Sequence, residues 1–457
     1  MTTRREELEE LNKEALIDAY LLLEKRVETV ERQMGELKRA LGIKPAKTSE
    51  NSSRPPSQDQ KETVQKQKKK KRGAKKGHQG SSRQRLEADE VIECRVSICR
   101  DCGRDLSDLP QHIAGRHQVI DMPPLRAIVR EIIRYGRYCP CCANYQRAES
   151  PPGFERGRVV GEQLEQLVLY LHYAHPLSYG RVARILSEVY GVQLREGTLV
   201  SIVQRAKSRL KQAADVIHEQ VKQATVLGSD ETGARVDGVS YWQWVFQTPQ
   251  FAYYVIRPSR SAQVIEDVMG EAQPQVWVSD VLSSQMCHPA QAYQICLAHQ
   301  LRDLQYLVDT HGCEWASEMQ ALFRRAIHLH NLRNDLSDKR FHLFAQAHEW
   351  CLDKLLKTTP VSDDSQRLWR RFHKHRQALL LFLQRSDVPP TNNASEQALR
   401  NSVIYRKVTG GFRSDWGAEL YANLLSILET ARRQGRSIFE ILQMIFAHQP
   451  NFSWIAE

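Results

Sequence analysis

The sequence predicts an α+β protein of several domains, and three observations carry that prediction. Its 457 residues suffice for about three domains at roughly 150 residues each. Between residues 224 and 280 the apolar pattern is that of strands with one short helix, whereas 160–222 and 297–434 read as helices. Six of the ten cysteines crowd between Cys94 and Cys142 and mark a small unit of their own. A content of 41% hydrophobic and 26% charged residues fits a chain with sizeable cores. No apolar run approaches the ~18 residues of a membrane span. The opening Met1-Thr-Thr-Arg-Arg lacks an apolar signal region, so a cytoplasmic protein without membrane contact is expected.

Residues 5–43 carry Leu16, Tyr20, Leu23, Val27, Val30, Met34, Leu37 and Leu41 at alternating steps of four and three. Those are the seam positions of a coiled coil, which would pair protomers into a homo-oligomer through residues 5–43. An amphipathic helix packed on its own protein is the alternative. Residues 1–44 are assigned to this helix, and 45–90 to a disordered basic linker too poor in large apolar side chains to fold alone. The charge supports the division. Of a net +11, residues 61–85 alone supply eleven Lys/Arg against one acid, Glu62, and leave the rest nearly neutral. Such a segment seeks a polyanion, nucleic acid first, although a solubilising tail would look similar.

Residues 91–148 hold Cys99-Arg-Asp-Cys102 and Cys139-Pro-Cys-Cys142, with a strand-like run at 128–135. Two residues between thiolates let both sulfurs turn onto one ion at about 2.3 Å, and two such pairs can complete a tetrahedral Zn²⁺ site. Cys94 and Cys141 are spares, and a redox pair is the alternative. Residues 149–222 are helical. Within them a helix at 179–190, a turn from Gly191 and a second helix from Gly197 have helix-turn-helix spacing compatible with DNA. Many helical hairpins share that spacing.

The next segment, 223–434, carries the chemistry. Strands are predicted at 224–230, 241–247, 251–256 and 276–280, with a helix at 261–269 before the last. The first and the last of these strands end in Asp230 and Asp280. Residues 297–388 form an all-helical stretch. Helices at 393–409 and 417–434 follow, split by Thr409-Gly-Gly-Phe412, and 435–457 hold a final helix. Asn392 can cap the first of these helices and leave Glu396 in its first turn. Neighbouring strand ends and a helix start can bring three carboxylates together as oxygen ligands for Mg²⁺ (or Mn²⁺). Two such ions about 3.5–4 Å apart stabilise the attacking and leaving oxygens of a phosphoryl displacement. A lone strand-end Asp is more often a turn former; three acids in this order are not explained that way.

Gly228-Ser-Asp230-Glu-Thr-Gly233, Val278-Ser-Asp280, Cys296-Leu-Ala-His299-Gln-Leu-Arg302 and Asn392-Asn-Ala-Ser-Glu396-Gln-Ala-Leu-Arg400 together resemble the large transposase subunit of bacterial insertion sequence family sixty-six. The likeness extends over nearly the whole chain. It implies an RNase H-like DDE catalytic core with a helical insertion, and Asp230, Asp280 and Glu396 as the metal-binding triad. It also implies double-stranded DNA as partner, both element terminal repeats and target, and small accessory proteins of the same element. By the same resemblance His299 and Arg302 should lie near the site, contacting DNA or orienting a carboxylate. Cys296-x-x-His299 looks like half a zinc finger, but no second pair of suitable spacing follows, so a metal site is not expected there, and a packing histidine is the alternative for His299. Arg400, Arg406, Lys407 and Arg413 are candidate phosphate contacts, or equally solvated surface charge. Gln397 stands where the family often has Arg. The expected reaction is cleavage at the element's end to leave a 3′-OH, then in-line attack of that 3′-OH on target DNA, without a covalent enzyme intermediate. A non-catalytic DNA-binding regulator and a nuclease without strand transfer are the rivals.

Overall fold

The computed structural model describes residues 85–122, 125–155, 157–447 and 449–456. The expected coiled coil and nearly all of the basic linker lie outside the described residues.

The segment 223–434 centres on a mixed five-stranded sheet. Its strands are β3 (Val226–Val236), β4 (Val239–Gln247), β5 (Ala252–Arg257), β6 (Val276–Ser279) and β7 (Ala292–Ile295), in the spatial order β5-β4-β3-β6-β7. β5, β4 and β3 pair antiparallel, and β3, β6 and β7 parallel. β3 differs from the expected strand because it does not stop at Asp230 but runs on to Val236. Asp237 and Gly238 turn it back into β4 with positive φ at both residues (48° and 75°), as an Asp-Gly hairpin turn requires. The parallel partner β6 is registered only as far as Gly228↔Val278, so Asp230 lies where that neighbour ends. The short strand β7 is a further element that the sequence pattern did not indicate.

Each face of the sheet has its own core. Leu227, Trp244, Phe246 and Trp277 belong to a large cluster with two long helices, Glu196–Lys222 and Asp415–Arg433. The second of these also shields the sheet's edge. Ser426 Oγ accepts the Tyr254 N–H at 2.9 Å, and Thr430 Oγ1 accepts the Ala252 N–H at 3.1 Å. Edge donors of β5 that would otherwise recruit another strand are thereby occupied. Val276 and Val278 point the opposite way, into a second cluster with Trp315, Phe323, Phe372 and Phe382. That cluster is the core of the expected helical insertion, with helices Leu297–His311, Glu314–Asn331, Asp338–Lys357 and Asp363–Lys374. The insertion therefore packs beside the parallel half of the sheet.

Upstream, helices Glu162–Leu169 and Tyr179–Tyr190 pack with the start of Glu196–Lys222 around Val168, Val182, Leu186, Leu199 and Ile202. The left-handed Gly191 (φ 68°) ends the middle helix. The second helix of the expected helix-turn-helix thus continues for 27 residues into the core of the sheet.

The cysteine-rich stretch is different. Among the described residues the expected strand at 128–135 forms no ladder, and only the Tyr135 carbonyl at its end accepts a backbone N–H, that of Ala148, at 2.9 Å. The pairing falls instead on β1 (Gly136–Tyr138) and β2 (Tyr145–Arg147), which flank the Cys139–Cys142 turn. No described residue between 85 and 148 is buried. Val129 is 91% exposed and Tyr138 70%.

Candidate active site

Parallel register explains why two acids 50 residues apart are neighbours. Gly228 faces Val278 across β3 and β6, and Asp230 and Asp280 each lie two residues further in the same direction. With a side-chain period of two they share the face of Gly228 and Val278. Asp280 directly follows β6, and the next residue, Val281, has φ 73°, a strained conformation for a β-branched side chain.

Glu396 reaches the same face from the helix Asn393–Thr409, in whose first turn it lies. That helix is held to β3 at both ends. At its start Asn392 is buried, and its side-chain amide donates to the Ser229 carbonyl at 2.7 Å. The Asn392 side-chain oxygen accepts the Ser395 hydroxyl at 2.6 Å, so it does not cap the helix backbone as the sequence suggested. At its far end, Phe412 donates its N–H to the Arg235 carbonyl, and Asp237 donates back to Phe412, each at 2.8 Å. Gly411 (φ 113°) permits this approach: a Cβ there would sit 2.8 Å from the Arg235 carbonyl oxygen. Gly228 has a matching role under the other end. A Cβ on it would come within 3.0 Å of Ser395 Oγ and 3.3 Å of Asn392 Oδ1.

The electrostatics are those of acids crowded without cations. Burial, with the neighbouring Asp280 and Glu231 carboxylates, pushes the Asp230 carboxyl up to about 8. Asp280 Oδ1 and Glu396 Oε1 are buried and accept no hydrogen bond. Orphaned anionic oxygens of this kind call for a positive partner. The donors are all hard oxygens, which fits Mg²⁺ or Mn²⁺, although the three carboxylates do not all lie within 4.8 Å of one another among the described residues.

Sequence reading missed Glu231. Its carboxylate lies against Arg260 and accepts from the Gln285 side chain at 2.9 Å, while burial and Asp280 raise its own proton affinity. Arg260 in turn stacks over Trp242, 4.7 Å from the ring centroid. Position i+1 to a predicted acid on a strand was the available signal, but its partners lie 29 and 54 residues away.

The C-x-x-H residues sit at the same site. Cys296 follows β7 and opens the helix Leu297–His311, which also carries His299 and Arg302 one turn apart. His299 Nδ1 stands 3.8 Å from Glu396 Oε1. Arg302 is half-buried, whereas Arg400, Lys407 and Arg413 are exposed. Arg406 borders a groove of about 390 Å³ lined also by Gly233, Arg235, Tyr241 and Trp242, further along β3 and β4 from Asp230.

The two cysteine pairs form two alike turns. Cys99 accepts the Gly103 N–H on its carbonyl and Cys139 that of Ala143, with positive φ at Gly103 (72°) and Ala143 (55°). Backbone N–H groups of Cys102 and Asp101 lower the Cys99 thiol, and those of Cys142 and Cys141 lower Cys139. The turns suit thiolate ligands, but no three of these sulfurs gather within 4.8 Å among the described residues.

The sequence profile described as Transposase IS66 family matches residues 157–420, which include all three acids. A family of unknown function matches residues 1–84. An uncharacterized protein, y4jO, of Sinorhizobium fredii is 34% identical over 80 residues, which are 18% of this chain and 25% of that protein.

Proposed function

The chain belongs to the IS66 family of transposases, and from that premise we propose that it cleaves DNA at the ends of an insertion sequence and joins them to target DNA. Asp230, Asp280 and Glu396 would be the catalytic acids of an RNase H-like core. The observation that carries this reading is the fixing of the Glu396 helix at both ends onto the strand that bears Asp230.

The three carboxylates would hold two Mg²⁺ or Mn²⁺ ions. When bound, such ions neutralise charge on the phosphoryl oxygens and favour an ionised attacking hydroxyl. The chain's own residues do the rest. Asp230 would serve as a ligand in its deprotonated form, and Asp280 Oδ1 and Glu396 Oε1 are oxygens that no protein donor occupies. Asn392 keeps Glu396 in place through Ser229. His299 faces the Glu396 oxygen across 3.8 Å, without a hydrogen bond between them. Arg260 pairs with Glu231 and offsets part of the charge of this fourth acid. Arg406 and Arg235 line the neighbouring groove and, with the exposed Arg400 and Lys407, would bind backbone phosphates. No Ser or Tyr nucleophile is needed.

Cys99, Cys102, Cys139 and Cys142 would bind structural Zn²⁺, supported by their two thiolate-favouring turns. Residues 5–43 would pair protomers, so that two DNA ends meet in one complex.

Strand transfer of a pre-cleaved terminal repeat, run with Mg²⁺, tests the reading. Wild type should give joined product, and Glu396→Gln should lower the rate on the order of 10³-fold. Cleavage without joining would favour a nuclease, and binding alone a regulator.

A further inference from the structure

We propose that Cys296, His299 and Glu396 form a site for a soft divalent ion, Zn²⁺, which takes the Glu396 carboxylate away from the catalytic acids and so inhibits the enzyme. One ligand atom from each of the three lies within 4.8 Å of those of the other two. Cys296-x-x-His299 supplies two donors from one helix start, the i,i+3 spacing placing both on one side of it. The third donor, which no local spacing could reveal, comes from a residue 100 positions later than Cys296.

Three further observations point to an ion. His299 Nδ1 and Glu396 Oε1 are both buried, and neither has a hydrogen-bond partner although they stand 3.8 Å apart. Cys296 is fully buried, and its sulfur accepts the Asn392 N–H at 3.1 Å, the contact a metal thiolate receives in its outer shell. The donors also rest on a firm frame. Leu297 donates its N–H to the Pro390 carbonyl at 3.0 Å, which locks the start of the His299 helix to the segment leading into the Glu396 helix. The His299 and Glu396 side chains keep 17% and 29% of their surface exposed, which leaves a way in for an ion and a water as fourth ligand.

Donor chemistry decides which ion. Thiolate with imidazole selects Zn²⁺ over Mg²⁺, which prefers an all-oxygen shell. Glu396 cannot serve both sites fully, so zinc occupancy would withdraw one acid from the three. The binding claim stands on the geometry alone; the inhibitory claim rests on the function proposed above.

Equilibrium dialysis of the full chain against Zn²⁺, after chelator treatment, tests the site. Wild type should retain one equivalent more than either Cys296→Ser or His299→Gln, whatever the other cysteines bind. Zinc affinity at that equivalent should fall by at least about tenfold in each variant. Melting curves of both variants identify any that fails to fold, and the other then serves. Equal stoichiometry in wild type and a folded variant would overturn the site. Strand transfer in Mg²⁺, each protein normalised to its own zinc-free rate, tests the inhibition. Added Zn²⁺ should suppress wild type at least about tenfold more than Cys296→Ser. An extra equivalent of zinc with equal suppression would overturn the withdrawal of Glu396. Absence of strand transfer in all proteins would count against the transposase reading, with the dialysis still deciding the site.

Discussion

Asp230 shows how far a single carboxyl can be displaced by its surroundings. In the metal-free protein its pKa of about 8 means the proton stays bound across a range where an unfolded chain has lost it. Between about pH 4 and 8 the folded state therefore binds more protons than the unfolded one, and stability falls as pH rises. Asp230→Asn removes that loss. Without metal, the variant's melting temperature should exceed wild type by roughly 2–4 °C at pH 8, the response to about 1 kcal/mol, and by less at pH 5. Differential scanning of both proteins in chelator at the two pH values checks this. The same variant should be inactive, a trade of function for stability. At this scale the sequence was informative about the acids themselves, since each ends or begins a predicted element. It was silent on Glu231 and Gly228 and gave Asn392 only a capping role, because the importance of all three comes from contacts to residues far away in the chain. Asn392, for example, meets Ser229 across 163 positions.

Among elements, the helix Asn393–Thr409 matters most, because its attachment rather than its own stability places Glu396. Replacing Asn392 by Ala removes the side-chain donor to the buried Ser229 carbonyl and the acceptor of the Ser395 hydroxyl, which keeps only the Gln247 amide, at a cost of about 1–3 kcal/mol. A displacement of about 1 Å in a reacting group can cost 10²-fold in rate. Asn392→Ala should therefore fold, lose about 1–3 kcal/mol in denaturant titration, and lose strand transfer about 10²-fold. Unchanged activity would show that the Ser229 contact does not position the acid. Strand and helix identities were legible here wherever the pattern was long, as in β4, β5 and the insertion. The run of β3 past Asp230 was not read from the pattern, although Asp237-Gly238 is a turn marker of the kind that ends such a hairpin strand. β7 was not legible: four residues, Ala-Tyr-Gln-Ile, carry no clear alternation, and only their parallel pairing to β6 makes them a strand.

Across the molecule, two kinds of construction meet. The sheet, its flanking helices and the insertion share two large apolar cores. Residues 85–148 have none, since no described side chain there is buried. A unit without a core depends on metal or a partner for its order. Chelation should then make residues 85–148 sensitive to protease while the sheet and its helices stay resistant, with mass spectrometry locating the cuts. Equal resistance before and after chelation would show that the cysteine turns need no metal. The cysteine spacing was readable in the sequence, yet the absence of buried surface between the pairs was not, because exposure depends on what folds around a strand-like run. The insertion's position beside the parallel strands was likewise invisible in a string of helices, although its extent was clear.

The central claim is that Asp230, Asp280 and Glu396 act as one metal-binding unit, and Mn²⁺ binding to the full chain tests it most directly. Titration calorimetry should find Mn²⁺ sites in wild type that weaken by at least about tenfold in Asp230→Asn, Asp280→Asn and Glu396→Gln alike. Undiminished Mn²⁺ binding by Glu396→Gln, with the other two variants impaired, would contradict it.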